Sequence, residues 1–152
     1  MSRVAVSCLL TLVCGLCAAE TSEVSATVSL ANVDAIYSRA AQITTSAQEY
    51  ILQKRALQRI AGAPVTATIT VDDVKAIKVA GETRFSVEAV RAEPAYRLSF
   101  HLSDEDAAFT IDRGETVTLR GTGDGVFFGK NPSVVVVDAS VVQADPIAQP
   151  EL

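Results

Sequence analysis

One histidine, His101, and a few clustered carboxylates are the only side chains in this sequence suited to acid–base, nucleophilic or metal chemistry outside its first residues. No second histidine is present to complete a zinc site or a nucleophile–base relay around His101. Asp104, Glu105 and Asp106 could chelate calcium, but a calcium loop needs acidic residues at alternate positions ahead of a glycine. Three contiguous acids after Ser103 read instead as the cap and first turn of a short helix reaching Ala108. Asp72-Asp73 reads as a bulge or turn. The glycine-rich run 121–130 invites a phosphate-loop reading and fails it. Asp124 stands where the first glycine is required, and Asn131 where Ser or Thr should follow Lys130. A dinucleotide fingerprint from Gly121 fails because Val126 occupies the third glycine's place. The expectation is therefore no catalytic residue, no metal and no cofactor. An enzyme would need Asp72, Asp73, Asp104 and Asp106 to converge.

Binding chemistry has better candidates. Two segments alternate with period two, and their polar positions are Arg84, Ser86 and Glu88 on one and Arg97, Ser99 and His101 on the other. Those six are expected to point outward from two neighbouring strands. Phe127 and Phe128 beside Lys130 form the one cluster that is both aromatic and basic; at least one of the two rings is expected to tuck into the barrel end. From these, Arg84, Arg97, His101, Phe128 and Lys130 are the expected ligand- or partner-binding residues. The strand face lacks the aromatic platforms that single-stranded nucleic acid uses. The formal net charge is −5, falling to −6 without Arg3, which disfavours a polyanionic partner. Nucleic acid is not expected.

The N-terminus carries an address. Arg3 precedes an apolar run over residues 4–16, and Cys17-Ala18-Ala19 places small residues at −3 and −1 before Glu20. Residues 1–19 are expected to be a signal peptide cleaved near Ala19-Glu20, giving a periplasmic or secreted chain that meets the membrane only in transit. Retention as an anchor is the alternative, although the stretch is short for a span of about 20 residues. All three cysteines, Cys8, Cys14 and Cys17, lie inside this segment. Leu16 and Val13, the residues before Cys17 and Cys14, are not the small residue that lipid attachment requires. A mature chain without cysteine must rest on its core alone.

Behind the leader, 152 residues allow one domain. Residues 20–30 are rich in Ser, Thr and Ala and lack a period, as a flexible leader would be. From Asn32, a candidate N-cap, with Asp34 in the first turn, apolar residues recur at Ile36, Ala40, Ile43, Ala47, Tyr50, Leu57 and Ala61. Lys54, Arg55 and Arg59 load the C-terminal turns with cations; Gly62 suits the stop, and Pro64 forbids continuation. One long amphipathic helix over 31–62 is expected. Its alanine-rich stripe would either dock on the rest of the domain or form a seam for a protein partner or a second copy.

Residues 65–143 read as β structure. Val65, Ala67, Ile69 and Val71 alternate with threonines; the pattern resumes through Val74–Val79 after a bend at Asp72-Asp73. Phe85, Val87 and Ala89 mark a second strand, and Tyr96, Leu98, Phe100 and Leu102 a third. After the short helix come a fourth strand from Thr116, the glycine loop, and a buried fifth strand from Val134 through Ala139 and Val141. Residues 144–152 form a tail. The expected class is α+β, mainly β: a five-stranded OB-like Greek-key barrel preceded by one long helix.

The stretch 65–142 resembles the exported proteins grouped as the tRNA_anti-like family. The likeness is carried by Ile111-Asp112-Arg113-Gly114-Glu115-Thr116-Val117-Thr118-Leu119-Arg120-Gly121, a glycine-containing loop, and the apolar strand ending Ala139-Ser140-Val141-Val142. It implies an OB fold; it implies neither tRNA binding nor catalytic residues. The functional expectation is a non-catalytic exported binding or assembly module that contacts another envelope protein or itself. The alternative is a carrier of a small ligand or oligosaccharide on the second- and third-strand face.

Overall fold

The computed structural model describes residues 26–142. The segments expected to be signal peptide and tail, and most of the expected leader, fall outside that range. Seven strands, β1 (Val28–Ser29), β2 (Pro64–Thr70), β3 (Asp73–Val79), β4 (Glu82–Ala92), β5 (Ala95–Leu102), β6 (Thr116–Phe127) and β7 (Ser133–Val141), form one sheet. Three helices accompany them: α1 (Leu30–Ala40), α2 (Ser46–Ile60) and α3 (Glu105–Thr110). The chain is α+β and mainly β, as its alternation requires.

The strand order is β1-β2-β6-β7-β5-β4-β3. Pairing is antiparallel except for β1 with β2 and β5 with β7. The sheet is open, so the expected closed five-stranded barrel is corrected to an open sheet of seven. Both added strands have clear origins. The long first strand divides at Val71 and Asp72, whose amides donate to different neighbours, the carbonyls of Glu115 and Glu88 at 2.8 Å each. The two halves thereby join opposite ends of the strand order. The other newcomer, β1, comes from the segment expected to be flexible leader: Val28 pairs with Val65 and is buried, so the ordered domain begins before residue 30.

Much of the core is drawn from the alternating residues foreseen from the pattern, though Phe85 is only half-buried and Val79 is exposed. Val65, Ala67 and Ile69 of β2, Val87 and Ala89 of β4, and Tyr96, Leu98, Phe100 and Leu102 of β5 are all buried, with Leu119, Val134 and Val136 completing the layer. At about 25 cal/mol per Å² of apolar surface removed from water, this continuous cluster is the main stabilising term.

The expected single helix over 31–62 is corrected to two. Its apolar spacing runs unbroken through Ile43, but the backbone leaves the helix after Ala40 and re-enters at Ser46. Thr45 caps α2 by accepting from the Gln48 amide while the Gln48 side chain accepts from the Thr45 amide, a capping box written in the sequence as Thr-x-x-Gln. Ser29, and not Asn32, caps α1; Asn32 is its reciprocal partner at the third helical position. The break also changes which side of the stripe is covered. Val33, Ile36 and Tyr37 of α1 are buried, whereas α2 buries only Ala56 and Ile60. Ala47, Tyr50, Leu57 and Ala61 of the expected stripe face solvent.

The expected glycine loop 121–130 is corrected as well. Strand β6 continues through Gly121, Gly123 and Gly125 to Phe127, leaving a connection of only five residues, 128–132. Glycine is needed at Gly123 because the chain after α2 crosses there. A Cβ at Gly123 would lie 2.0 Å from the Ile60 carbonyl oxygen. The Gly62 amide donates to Gly123 O and the Gly123 amide to Ala63 O, each at 2.8 Å. The short helix α3 is capped by Asp104, one residue later than expected.

Candidate binding surfaces

Helix α1 is fixed to the sheet by one polar cluster and one aromatic stack. Asp34 Oδ2 accepts from Arg91 Nη2 at 2.6 Å, and Asp34 Oδ1 accepts from Arg91 Nε at 3.3 Å and from the Tyr96 hydroxyl at 2.7 Å. The two-nitrogen grip on a carboxylate gives direction as well as energy. Tyr37 stacks on Tyr96 with ring centroids 4.4 Å apart and planes 10° from parallel. The Tyr37 hydroxyl reaches the carbonyls of Phe127 and Ser133 at 2.9 and 2.8 Å, bridging the end of β6 to the start of β7. Burial pushes both tyrosine hydroxyls well above their ordinary range, so both stay protonated donors. Of the two expectations for the helical segment, docking describes α1. In the sequence Tyr96 is legible as a core strand residue and Asp34 as a first-turn acid, whereas Arg91, Tyr37 and the contacts that join the four carry no local signal.

The five residues expected to bind are only partly brought together. Cross-strand register sets Val90, Arg97, Ser133 and Phe127 in one row across β4, β5, β7 and β6. Glu88, Ser99, Val135 and Gly125 form the next row, and Ser86 lies opposite His101. Arg97 and Lys130 line a groove of about 580 Å³ together with Arg91, Tyr96, Ser99 and Ser133. Arg84 lies farther along β4 and pairs with Glu82 at 2.9 Å. Phe128 turns to the α1 side of the sheet and is half-buried there, its ring packing on Tyr37 with centroids 5.2 Å apart. Phe127 is the exposed ring of the pair, 50% accessible and leaning over Gly125, where a Cβ would lie 2.8 Å from the ring.

The outward polar positions are less exposed than alternation implies. Ser86 and Ser99 are buried, because they are short and lie between longer cross-strand neighbours. Glu88, whose side chain is 12% exposed, accepts from Lys75 Nζ at 2.8 Å and Arg97 Nη1 at 3.2 Å, so much of the positive charge on this face is already matched. Half-buried Asp73 binds Arg113 at 3.1 Å, and that hydrogen bond holds its carboxyl below the ordinary value.

His101 is half-buried, and burial pushes its imidazole below the ordinary histidine value, against an opposing pull from Asp124. A depressed folded-state value means that the unfolded chain binds the proton more readily. The stabilising contribution is complete above the unfolded value of about 6.5 and is lost as pH falls through the folded one. The unfolding midpoint should therefore drop between about pH 7 and pH 5, and His101→Gln should reduce that drop. A nuclear magnetic resonance titration of the imidazole, reading below 6.5, checks the cause directly.

Tyr50 and Leu57 of the expected stripe, with Ile51 outside it, lie on the outward side of α2. Tyr50 is 69% exposed, Ile51 46% and Leu57 42%. Lys54, Arg55 and Arg59 lie on the same short helix without an ion-pair partner among the described residues. Among the described residues no group of three or more His, Cys, Asp or Glu converges to hold a metal, and no helix is long and apolar enough to cross a membrane.

Comparison with known proteins gives little to set beside this geometry. No family model matches the chain, and no curated protein does. One similar solved structure is described as a "putative nucleic acid-binding lipoprotein" from Klebsiella pneumoniae; it is 20% identical, covers 70% of this chain and 97% of its own, and superposes with a TM-score of 0.49.

Proposed function

We propose that the chain is a non-catalytic, exported binding and assembly module of OB type, akin to the tRNA_anti-like proteins, and that it meets its protein partner through the outward side of α2. One observation carries this reading: Tyr50 and Leu57 stay exposed two turns apart on one face of α2, with Ile51 on its flank, while the opposite side packs Ala56 and Ile60. Exposed aromatic and aliphatic side chains grouped on one face, with cations beside them, are what a protein-binding surface offers. The OB assignment draws on the strand order. Consecutive β2 and β3 stand toward opposite ends of it, as the two halves of a bent first strand would, and β5 runs parallel to β7. A photoreactive residue at position 50 of the full exported chain is expected to capture a partner, and one at Thr68 on β2 is not.

A second reading rests on a different place. The groove beside Arg97, Ser99, Lys130 and Ser133, next to the exposed Phe127 ring, suits a small polar ligand or an oligosaccharide, with the aromatic face stacking on an apolar one. Glu88 matches Lys75 and Arg97 across the same face, which weakens the case for a nucleic acid.

A further inference from the structure

We propose that the partner of the α2 face is a second copy of this chain, met head to tail, with α2 of one copy seated on the α3 corner of the next. This rests on reading α2 as the contact surface and adds what covers it.

The two surfaces are unlike and complementary. On α2, Tyr50 and Leu57 lie two turns apart with Lys54 between them, and Arg55 follows on the flank beside Ile51. The α3 corner presents Phe109, which at 88% is the most exposed large apolar side chain in the described chain. Glu105, Asp106 and Asp112 surround it in sequence, with no ion-pair partner among the described residues. Each surface has an apolar centre and unmatched charge, and the charges are of opposite sign. Opposite potentials steer and orient an encounter.

The topology separates the two surfaces. Helix α1 is tied to the end of β4, the start of β5, the end of β6 and the start of β7 through Asp34 and Tyr37. Helix α2 ends beside it, with Ile60 against Gly123 near the end of β6. Helix α3 leaves the end of β5 and leads to the start of β6, at the other end of the same strands. Unlike faces at opposite ends favour a head-to-tail contact over a two-fold one. Pairing α2 with its own copy is disfavoured directly: the midpoint between Tyr50 and Leu57 falls at Lys54, so an antiparallel pair would oppose like charges there. An anionic lipid surface would attract Lys54, Arg55 and Arg59, but it would leave Phe109 and its acids unused.

Sedimentation of the purified full chain over a range of concentrations tests this. The weight-average mass should rise with concentration at low salt and fall back as salt is added. K54E/R55E removes the basic surface and F109S the other apolar centre; each variant alone should weaken association about tenfold or more, with its thermal midpoint close to that of the parent. Mixed in equal amounts, the two retain one good surface of each kind and should form a pair of twice the chain mass and nothing larger. A parent chain that stays monomeric at all concentrations overturns the proposal. So does association that F109S leaves unchanged, or a mixture that stays monomeric. Binding to phosphatidylglycerol vesicles that K54E/R55E abolishes, with the chain monomeric, overturns self-assembly and the reading of α2 as a protein-contact face alike. Capture from position 50 of a protein other than this chain overturns self-assembly and leaves α2 standing as a protein-contact face.

Discussion

Gly123→Ala is expected to cost about 3 kcal/mol of folding stability, roughly 10–20 °C in the thermal midpoint of a domain this size. The added methyl would sit 2.0 Å from Ile60 O and 2.7 Å from Ile60 Cγ2. One of those contacts is with backbone, which cannot swing aside as a side-chain tip can. Relief requires the C-terminus of α2 to lift from β6. That movement puts at risk the two 2.8 Å hydrogen bonds through which Gly123 grips Gly62 and Ala63, each worth about 1 kcal/mol. Gly114→Ala supplies the contrast. Gly114 has φ +85° but nothing within 4 Å of its would-be Cβ, so only the conformational penalty of about 1 kcal/mol applies. Denaturant unfolding of both variants measures the difference. Equal losses would mean that the α2–β6 crossing yields easily.

Asp34→Ala is expected to cost about 2 kcal/mol. Removing one member of a buried ion pair costs about 3–5 kcal/mol, chiefly because the other is left uncompensated. Here the two side chains are 25% and 36% exposed, so water takes up part of that burden and the figure is reduced. The substitution also strands the Tyr96 hydroxyl, whose one acceptor is Asp34. Arg91→Ala should cost less, since Asp34 would keep Tyr96 as donor. The double variant should fall short of the sum of the two by about 1 kcal/mol, the coupling that a cycle of unfolding measurements extracts. Strict additivity would show that α1 is held by its apolar side alone.

These two sites mark where sequence reasoning stops. Strand patterns were legible because a half-buried strand repeats every two residues and local chemistry records it: Tyr96, Leu98, Phe100 and Leu102 are all buried. The existence of helical structure over 31–62 was legible for the same reason, at a different period. The break at 41–45 was not read, because Ile43 keeps the apolar spacing intact; the Thr45–Gln48 capping box was the available signal. Glycines at 121, 123 and 125 suggested a loop because glycine usually serves turns. Here Gly123 serves a crossing by a chain segment some sixty residues away, which no local pattern encodes. The Asp34–Arg91–Tyr96 cluster is likewise joined across separations of 57 and 62 residues. Among the candidate binding residues, Arg97 and Lys130 do share a groove, whereas the choice between Phe127 and Phe128 rested on which adjacent ring faces inward. That is fixed by Tyr37, ninety residues upstream of the pair, and by the register of β6 against β7.

The central claim is that the exposed side of α2 exists to be covered by a protein. Photo-crosslinking from position 50 in the full chain, against position 68 on β2, tests it most directly. The account predicts a discrete adduct from position 50 and none from position 68, with the adduct lost when Ile51 and Leu57 are replaced by serine. Absence of any adduct from position 50, or equal yields from both positions, would contradict it.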